Sequence, residues 1–413
     1  MFQIRKRTIL IYDVIIIGSG AAGLMAAISS KKHKQKVLIL EQLDEIAIKL
    51  KATGGGRCNL TNTLSLEPFM EKFGKNGRFM RDALIAFSSS DLQEFMSDIG
   101  VQTHAPDGFR IFPTTHKSTT IIEAIKCKLL LDGIEVQCSQ KALEITKKEN
   151  IFCIKTTSDI FYSHNLVIAT GGSGYKNLGA TGEGYEFVKS FGHSLKKLYP
   201  AMMPLLVKDD WVSKCTADTI AKATIQVDIK KYNKLKATGD LIFSKNGIRG
   251  PVVLDFAREI TPLFDTFDEI PVIVNMIKEK TENDLIELFK VTPTETISNV
   301  LLQILPKSII QELLKISKIC ENSTYKSISG EEKINLLRIL TKTPMTINGS
   351  DGFKLAMITR GGINLKEINP ASMESKIISN LYFAGEIVDI DGPCGGYNLQ
   401  WAFSSGFLAG SLK

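Results

Sequence analysis

Hydrophobic positions fall into two patterns along the chain. Over residues 13–40 they come in solid runs, Val14-Ile15-Ile16-Ile17 and Val37-Leu38-Ile39-Leu40, separated by the small-residue stretch Ala21 to Ala27. Unbroken aliphatic runs predict strands covered on both faces, as in a parallel sheet, and the stretch between them predicts a crossover helix. The same signature returns at Leu166-Val167-Ile168-Ala169 and at Leu381-Tyr382-Phe383-Ala384. From about Leu195 the pattern changes. Thr224 to Lys230 alternates, with Ile225, Val227 and Ile229 inward, and Asp240 to Ser244 and Ile270 to Met276 continue this across a Gly250-Pro251 break. Alternation predicts antiparallel sheet or barrel with one wet face. Glu282 to Leu340 then reads as helical, with Leu301, Leu302, Leu305, Ile309, Ile310, Leu313 and Leu314 at three- and four-residue spacing.

Shorter elements fill the gaps. Helices are expected between Phe69 and Gly100 and over Thr119 to Asp132, a strand at Gly133 to Val136, and a hairpin from Ile151 to Ile154 and Asp159 to Tyr162. The expected class is α/β. A discontinuous Rossmann-like domain takes residues 1–195 and 352–413, a β-barrel-like insertion 196–278 and 344–351, and a helical cap 279–343.

Composition narrows the setting. A chain of 413 residues with 44% apolar and 23% charged positions is expected to form two or three globular domains. The net charge of +7 is spread over many lysines, and its densest cluster, Arg5-Lys6-Arg7, reads as a solvated tail. No basic stripe interleaved with aromatics stands out, so a small-molecule substrate is expected rather than nucleic acid. No apolar run approaches the roughly 20 residues that cross a bilayer, so no membrane partner is expected. Seven cysteines, odd in number and without a CxxC, argue for a reducing cytoplasm and against a disulfide framework. Five scattered histidines show no ligand spacing, and no metal is expected. The oligomeric state is left open.

The glycines carry the chemistry. Gly18, Gly20 and Gly23 follow the first strand at GxGxxG spacing, with Ala21 and Ala22 opening the helix. Gly18 permits the tight turn, Gly20 lets backbone approach a pyrophosphate, and Gly23 lets helix pack on strand. The helix N-terminus supplies free N–H groups to the phosphates. Glu41 ends the second strand, about 20 residues on, where a carboxylate accepts from a ribose. A second loop, Lys51 to Asn62, sets Gly54, Gly55 and Gly56 before Arg57, Cys58 and Asn59, a backbone able to approach a ligand closely. Cys58 itself reads as a packing residue. A third strand ends in Thr170-Gly171-Gly172, and a fourth in Gly385-Glu386, followed by Gly395, Gly396, Tyr397, Asn398 and Leu399 at the start of a helix. Two strand-to-helix glycine turns at opposite ends of one chain suit FAD, whose AMP and flavin halves need separate cradles. The helix opening at Tyr397 would point its positive end at the flavin N1/C2 edge, and Glu386 would accept from the ribityl hydroxyls.

Together these residues resemble the bacterial YhiN/BaiN-like flavoprotein family, which includes proteins described as aminoacetone oxidases. The resemblance is specific at GSGAAGLMAA (Gly18–Ala27), TGGGRCNLTN (Thr53–Asn62), ATGG with TGEGY (Ala169–Gly172, Thr181–Tyr185) and Ile368 to Gly406. It implies FAD, a two-dinucleotide-fold type of FAD domain with a barrel and helical insertion, and a flavin lined by the TGGGRCN and GGYNLQ loops. The chain departs from the family at Lys245 and Arg249, where histidine and serine are frequent. It also departs in Gly171–Gly182, which lacks the usual lysine and proline.

The resulting expectation is an FAD-dependent oxidoreductase moving a hydride between a small organic substrate and flavin N5. Arg57, Asn59, Arg110 and Tyr397 are the candidate catalytic residues, with Arg110 or Arg360 orienting a substrate anion. Three directions stay open: an amine oxidase, an NAD(P)H-linked reductase of an unsaturated carbonyl with the nicotinamide as transient donor, and a flavin-bearing RNA-modifying or regulatory protein.

Overall fold

The solid apolar runs form the strands they predict, in a computed structural model that describes residues 10–277 and 280–412. The Arg5-Lys6-Arg7 cluster lies outside the described residues. Strand β1 (Ile11–Ile17), helix α1 (Ala21–Lys32) and strand β2 (Val37–Leu40) make the expected unit, with β1 and β2 parallel and Ile17 opposite Leu40. β3 (Glu135–Gln137) runs parallel beside β2. β4 (Ala142–Lys148), β5 (Ile151–Thr156) and β6 (Ile160–Ile168) form an antiparallel meander whose last strand returns to lie parallel to β1. β7 (Leu381–Phe383) adds to the far side of β6, also parallel, and leads toward helix α2 (Tyr397–Gly410). The sheet order is β3-β2-β1-β6-β5-β4, with β7 branching from β6.

One expectation is corrected here. The second arm of the hairpin and the buried run at Leu166 are a single strand, β6. Its first residues pair antiparallel with β5 and its last with β7. The polar His164-Asn165 pair breaks the apolar run in sequence, but the Asn165 amide donates to the Asp13 carbonyl at 2.9 Å, so the strand continues.

The first and last helices meet backbone to backbone. A Cβ on Gly406 would collide with the carbonyl of Ala22, and one on Gly410 with that of Ala26. Ser30 Oγ closes the seam, bonding the carbonyls of Ala26 (2.9 Å) and Gly410 (3.0 Å). This Rossmann-like body comprises the chain through Leu198 together with Ile358 onward.

Residues Tyr199–Met357 form a second compact unit. Six strands (Leu205–Val207, Gly247–Arg249, Lys236–Ser244, Thr219–Val227, Ile270–Asn275 and Thr343–Ser350, in spatial order) close into a barrel. Ile225, Val227, Leu241, Phe243, Val272 and Val274 point inward, following the alternation. The Gly250-Pro251 break is not a gap in the sheet pattern. It opens a helix, Pro251–Ile260, with proline in the first turn, where its missing N–H costs nothing, and Val252, Val253, Phe256, Ala257 and Ile260 buried at helical spacing. Helices Glu282–Val291, Ile297–Leu301, Lys307–Ser317 and Gly330–Thr341 follow, the first and last opened by capping boxes from Thr281 with Asp284 and Ser329 with Glu332. They share one continuous hydrophobic core with the barrel. Among the described residues no helix is long and apolar enough to cross a membrane.

Candidate functional site

Register decides where the glycine turns meet. Ile17 stands opposite Leu40 and Ile168, and Ile168 opposite Phe383. Gly18, Glu41, Ala169 and Ala384 therefore leave the sheet side by side. The ladder runs on through Gly18 N to Leu40 O (2.8 Å), Ala169 N to Ile17 O (2.9 Å) and Ala384 N to Ile168 O (3.1 Å). The carboxyl ends of parallel strands are where open α/β sheets bind ligands.

Each glycine of the first turn does a different job. Gly18 adopts φ +99°, and a Cβ there would come within 2.6 Å of the Ala169 carbonyl oxygen. A Cβ on Gly23 would collide with the Gly18 carbonyl, so this glycine seats α1 on the turn. Gly20 differs from both: a Cβ would meet nothing within 4 Å, and Gly20 caps α1 with no side chain bonded to its first N–H groups. An uncapped helix N-terminus leaves N–H groups without helical partners, the kind of group that anions bind. Beyond Ala169, Thr170 Oγ1 is buried without a hydrogen-bond partner.

The two carboxylates expected to grip the coenzyme are also structural ties. Glu41 accepts from Ser19 N (2.8 Å), Ser19 Oγ (2.6 Å) and Leu43 N (2.9 Å). These three donors use most of the about four acceptor sites of a carboxylate and leave room for one more. Glu386 accepts from Lys49 Nζ (2.8 Å) and Thr359 N (2.8 Å), joining the helix before the TGGG loop to the strand Ile358–Ile363. Gly385 packs under α1, where a Cβ would lie 2.8 Å from that of Ala22, and Gly172 packs against Thr359 and Glu386.

The second pair of loops is clamped together. Gly54, Gly55 and Gly56 take φ of +58°, +65° and +84° in succession. Asn59, with its amide turned to satisfy both ends, accepts from Gly396 N at 2.9 Å and donates to Thr61 O at 3.0 Å. Asn62 Nδ2 donates to Gly395 O at 2.8 Å. A Cβ on Gly396 (φ +81°) would run into the Thr61 backbone, and Thr61 Oγ1 beside it is buried without a partner. The TGGGRCN loop thus holds the start of α2.

Four of the expected site residues also have packing or structural parts. Cys58 is wholly buried, and burial pushes its thiol up to about 12, so it stays protonated and unreactive. Tyr397 is 4% exposed, its ring among those of Phe69 (5.0 Å between centroids), Phe73 (6.0 Å) and Phe109 (6.4 Å). Asn398 bonds the Gly392 backbone both ways, accepting at 2.8 Å and donating at 2.9 Å. Leu399 is half-buried against the core.

The arginines behave differently. Arg57 and Arg110 are exposed, and both lie over the ring of buried Phe112, at 5.4 and 5.8 Å from its centroid. Arg360 is half-buried near Asp389, whose carboxyl is pushed up to about 6 by burial and by Asp391, against the opposing pull of Asn76, Lys196 and Arg360. Lys245 is exposed in the barrel turn after Lys236–Ser244, and Arg249 is exposed at the end of the next strand, Gly247–Arg249.

The HI0933-like protein Rossmann domain model matches residues 12–412. The chain belongs to that family. The match agrees with the resemblance carried by the four motifs. Relatives extend it. A 3-dehydro-bile acid delta(4,6)-reductase of Clostridium scindens is 30% identical over 96% of this chain and 97% of its own. A ribosomal RNA dihydrouridine synthase of Haemophilus influenzae is 28% identical over 95% and 96% respectively. In fold, the chain is similar to a 3-ketosteroid-delta4-(5alpha)-dehydrogenase from Rhodococcus jostii, at TM-score 0.51 and 15% identity, covering 99% of this chain and 98% of that one. This HI0933-like chain is an FAD-dependent oxidoreductase of two-dinucleotide-fold type with an inserted barrel.

The residues present fit FAD. The uncapped turn at Gly20 and the orphaned Thr170 and Thr61 hydroxyls offer unsatisfied polar groups beside the glycine turns. Sequence reasoning missed Lys49, Thr359, Phe112 and Asp389. Only Asp389 left a trace, as the Asp389-Ile390-Asp391 repeat.

Proposed function

We propose that this HI0933-like flavoprotein saturates a carbon–carbon double bond conjugated to a carbonyl, drawing its electrons from NAD(P)H. One observation carries the reading. Full-length relatives bear names that describe this same change on dissimilar molecules, a 3-oxo steroid diene and the uracil ring of RNA. Their common element is the electron-poor alkene beside a carbonyl. Bound FAD supplies a two-electron carrier that can pass hydride from N5 to such an alkene.

The chain's own residues bind and orient. Gly20 and the first N–H groups of α1 would take the pyrophosphate, and Glu41 would offer its remaining acceptor site to the adenosine ribose. Gly54 to Asn59, with Gly171, Gly172, Glu386 and Gly395 to Leu399, surround the flavin half. The positive end of α2 would favour negative charge on a flavin held there.

A second reading, with RNA as substrate, has one further support. The barrel hairpin Ile229–Lys236 exposes Lys230, Lys231, Lys234 and Lys236 around Tyr232, and these lysines make no ion pair among the described residues. It is a basic and aromatic cluster of the kind that holds a phosphate backbone, and the expectation of no basic stripe overlooks it.

Anaerobic mixing tests both. NADPH or NADH should bleach the flavin, and a 3-oxo-4-ene steroid or a uridine-containing oligonucleotide should restore its colour, whichever is substrate. Bleaching by aminoacetone, followed by rapid reoxidation in air with peroxide release, would overturn the reductase reading in favour of an amine oxidase.

A further inference from the structure

The small sheet of Thr61–Asn62, Arg110–Pro113 and Thr103–His104 carries a second arrangement, next to the TGGGRCN loop. Phe112 is 3% exposed, and cations cover it. Arg57 lies over the ring from the TGGGRCN loop and Arg110 from its own strand. The His116 ring stands 5.9 Å from that of Phe112, and His104 Nε2 meets His116 Nε2 at 3.0 Å.

Both guanidiniums are tethered the same way. Arg57 Nε donates to the Gly54 carbonyl at 3.2 Å, and Arg110 Nε to Asp107 Oδ2 at 2.6 Å. Asp107 is fixed in turn by the backbone N–H of Arg110 and its guanidinium, which hold its carboxyl down to about 2. With Nε committed and the aromatic floor beneath, the terminal amino groups of each arginine have no partner among the described residues. A guanidinium presents a planar fork matched to oxyanions, and one already held in place loses less freedom on binding. Gly55 and Gly56 alongside leave open space where side chains would stand.

We infer that Arg57 and Arg110, floored by Phe112, form a clamp for a nucleotide phosphate other than those of FAD. The inference rests on the reductase reading. There, the single GxGxxG turn is taken by FAD, and the phosphates of a second nucleotide need donors from elsewhere. That phosphate comes from NAD(P)H or from an RNA substrate, and the chemistry of recognition is the same for both.

The test is equilibrium binding to the flavin-loaded protein and to an R57Q/R110Q variant, using NADP+, NAD+ and a uridine-containing RNA oligonucleotide as probes. Wild type should bind at least one, and the variant should bind that one at least tenfold more weakly with a shallower salt dependence. The probe affected identifies the source. The clamp is overturned if wild type binds none of the three, or if the variant binds all within twofold of wild type. It is also overturned if the variant loses its flavin, which would assign both arginines to the coenzyme. A wild-type protein that never takes up FAD would instead overturn the reductase reading, and the two failures are told apart by the visible spectrum.

Discussion

Gly406 presses its bare Cα against the carbonyl of Ala22, 384 positions earlier, because no side chain could stand between them. The contact holds the two ends of the chain in one body and sets the start of α2 relative to the start of α1. Both proposed halves of the FAD site depend on that spacing.

Gly406→Val should therefore act on stability and coenzyme together. Overpacking a backbone contact costs about 1–3 kcal/mol, which for a body of this size lowers the midpoint of thermal unfolding by roughly 2–4 °C per kcal/mol. FAD retention, read from visible absorbance after gel filtration, should fall with it. A variant as stable as wild type would show that the helices can part without cost.

Gly20→Ala separates the two effects. Gly20 has an ordinary φ of −72°, and an added methyl group meets nothing within 4 Å. Stability of the FAD-free protein should fall by no more than about 1 kcal/mol, the cost of a poorer helix cap. FAD affinity should fall at least tenfold, since the methyl group stands where the pyrophosphate approaches. Fluorescence titration of FAD into the stripped variant reads this directly. Unchanged affinity would remove Gly20 from the phosphate cradle.

Much of this was legible in the chain. Four apolar runs mark four of the five parallel strands, and glycine spacing marks the turns, because both are local consequences of backbone geometry. In sequence the hairpin and the third parallel strand read as two elements, since His164-Asn165 hides a continuity supported by a tertiary hydrogen bond to Asp13. Pro251 reads as a break because proline both stops strands and starts helices, and only the burial of Val252, Phe256 and Ile260 tells which. The motif assigns Tyr397 a place in the glycine loop, but not its packing. Its aromatic neighbours, Phe69, Phe73 and Phe109, lie 288 or more positions away, and no local pattern points to them.

His193 sets an acid limit on the Rossmann-like body. Its side chain is wholly buried, Nε2 lies 2.8 Å from Ser375 Oγ, and its ring stands edge-on to Phe383 at 4.9 Å. Burial lowers its pKa below 6.5. Glu367 Oε2, 3.3 Å from Nδ1 but poorly directed for a hydrogen bond, opposes that only in part. A folded pKa below the unfolded one means that the unfolded chain binds the proton more readily. Stability should thus be full above pH 6.5 and decline as pH falls below it. Urea unfolding at pH 7.5 and 5.5 should show the loss, and His193→Phe should flatten it. An unchanged slope in that variant would place the titration elsewhere.

Asp389 runs the opposite way. Its carboxyl is raised from 3.8 to about 6, first by burial and then by Asp391, so the folded body prefers it protonated. A raised carboxyl contributes nothing adverse below the unfolded value, where both states carry the proton. Its cost grows from about pH 4 and is complete above about pH 6. Asp389→Asn keeps the shape and the contact with Asn76 while removing the charge. The variant should be more stable than wild type at pH 7.5 and indistinguishable from it at pH 4, as measured by thermal unfolding at each pH. A variant destabilised at pH 7.5 would mean that ion pairing with Lys196 and Arg360 outweighs burial, and that Asp389 is charged in the folded protein.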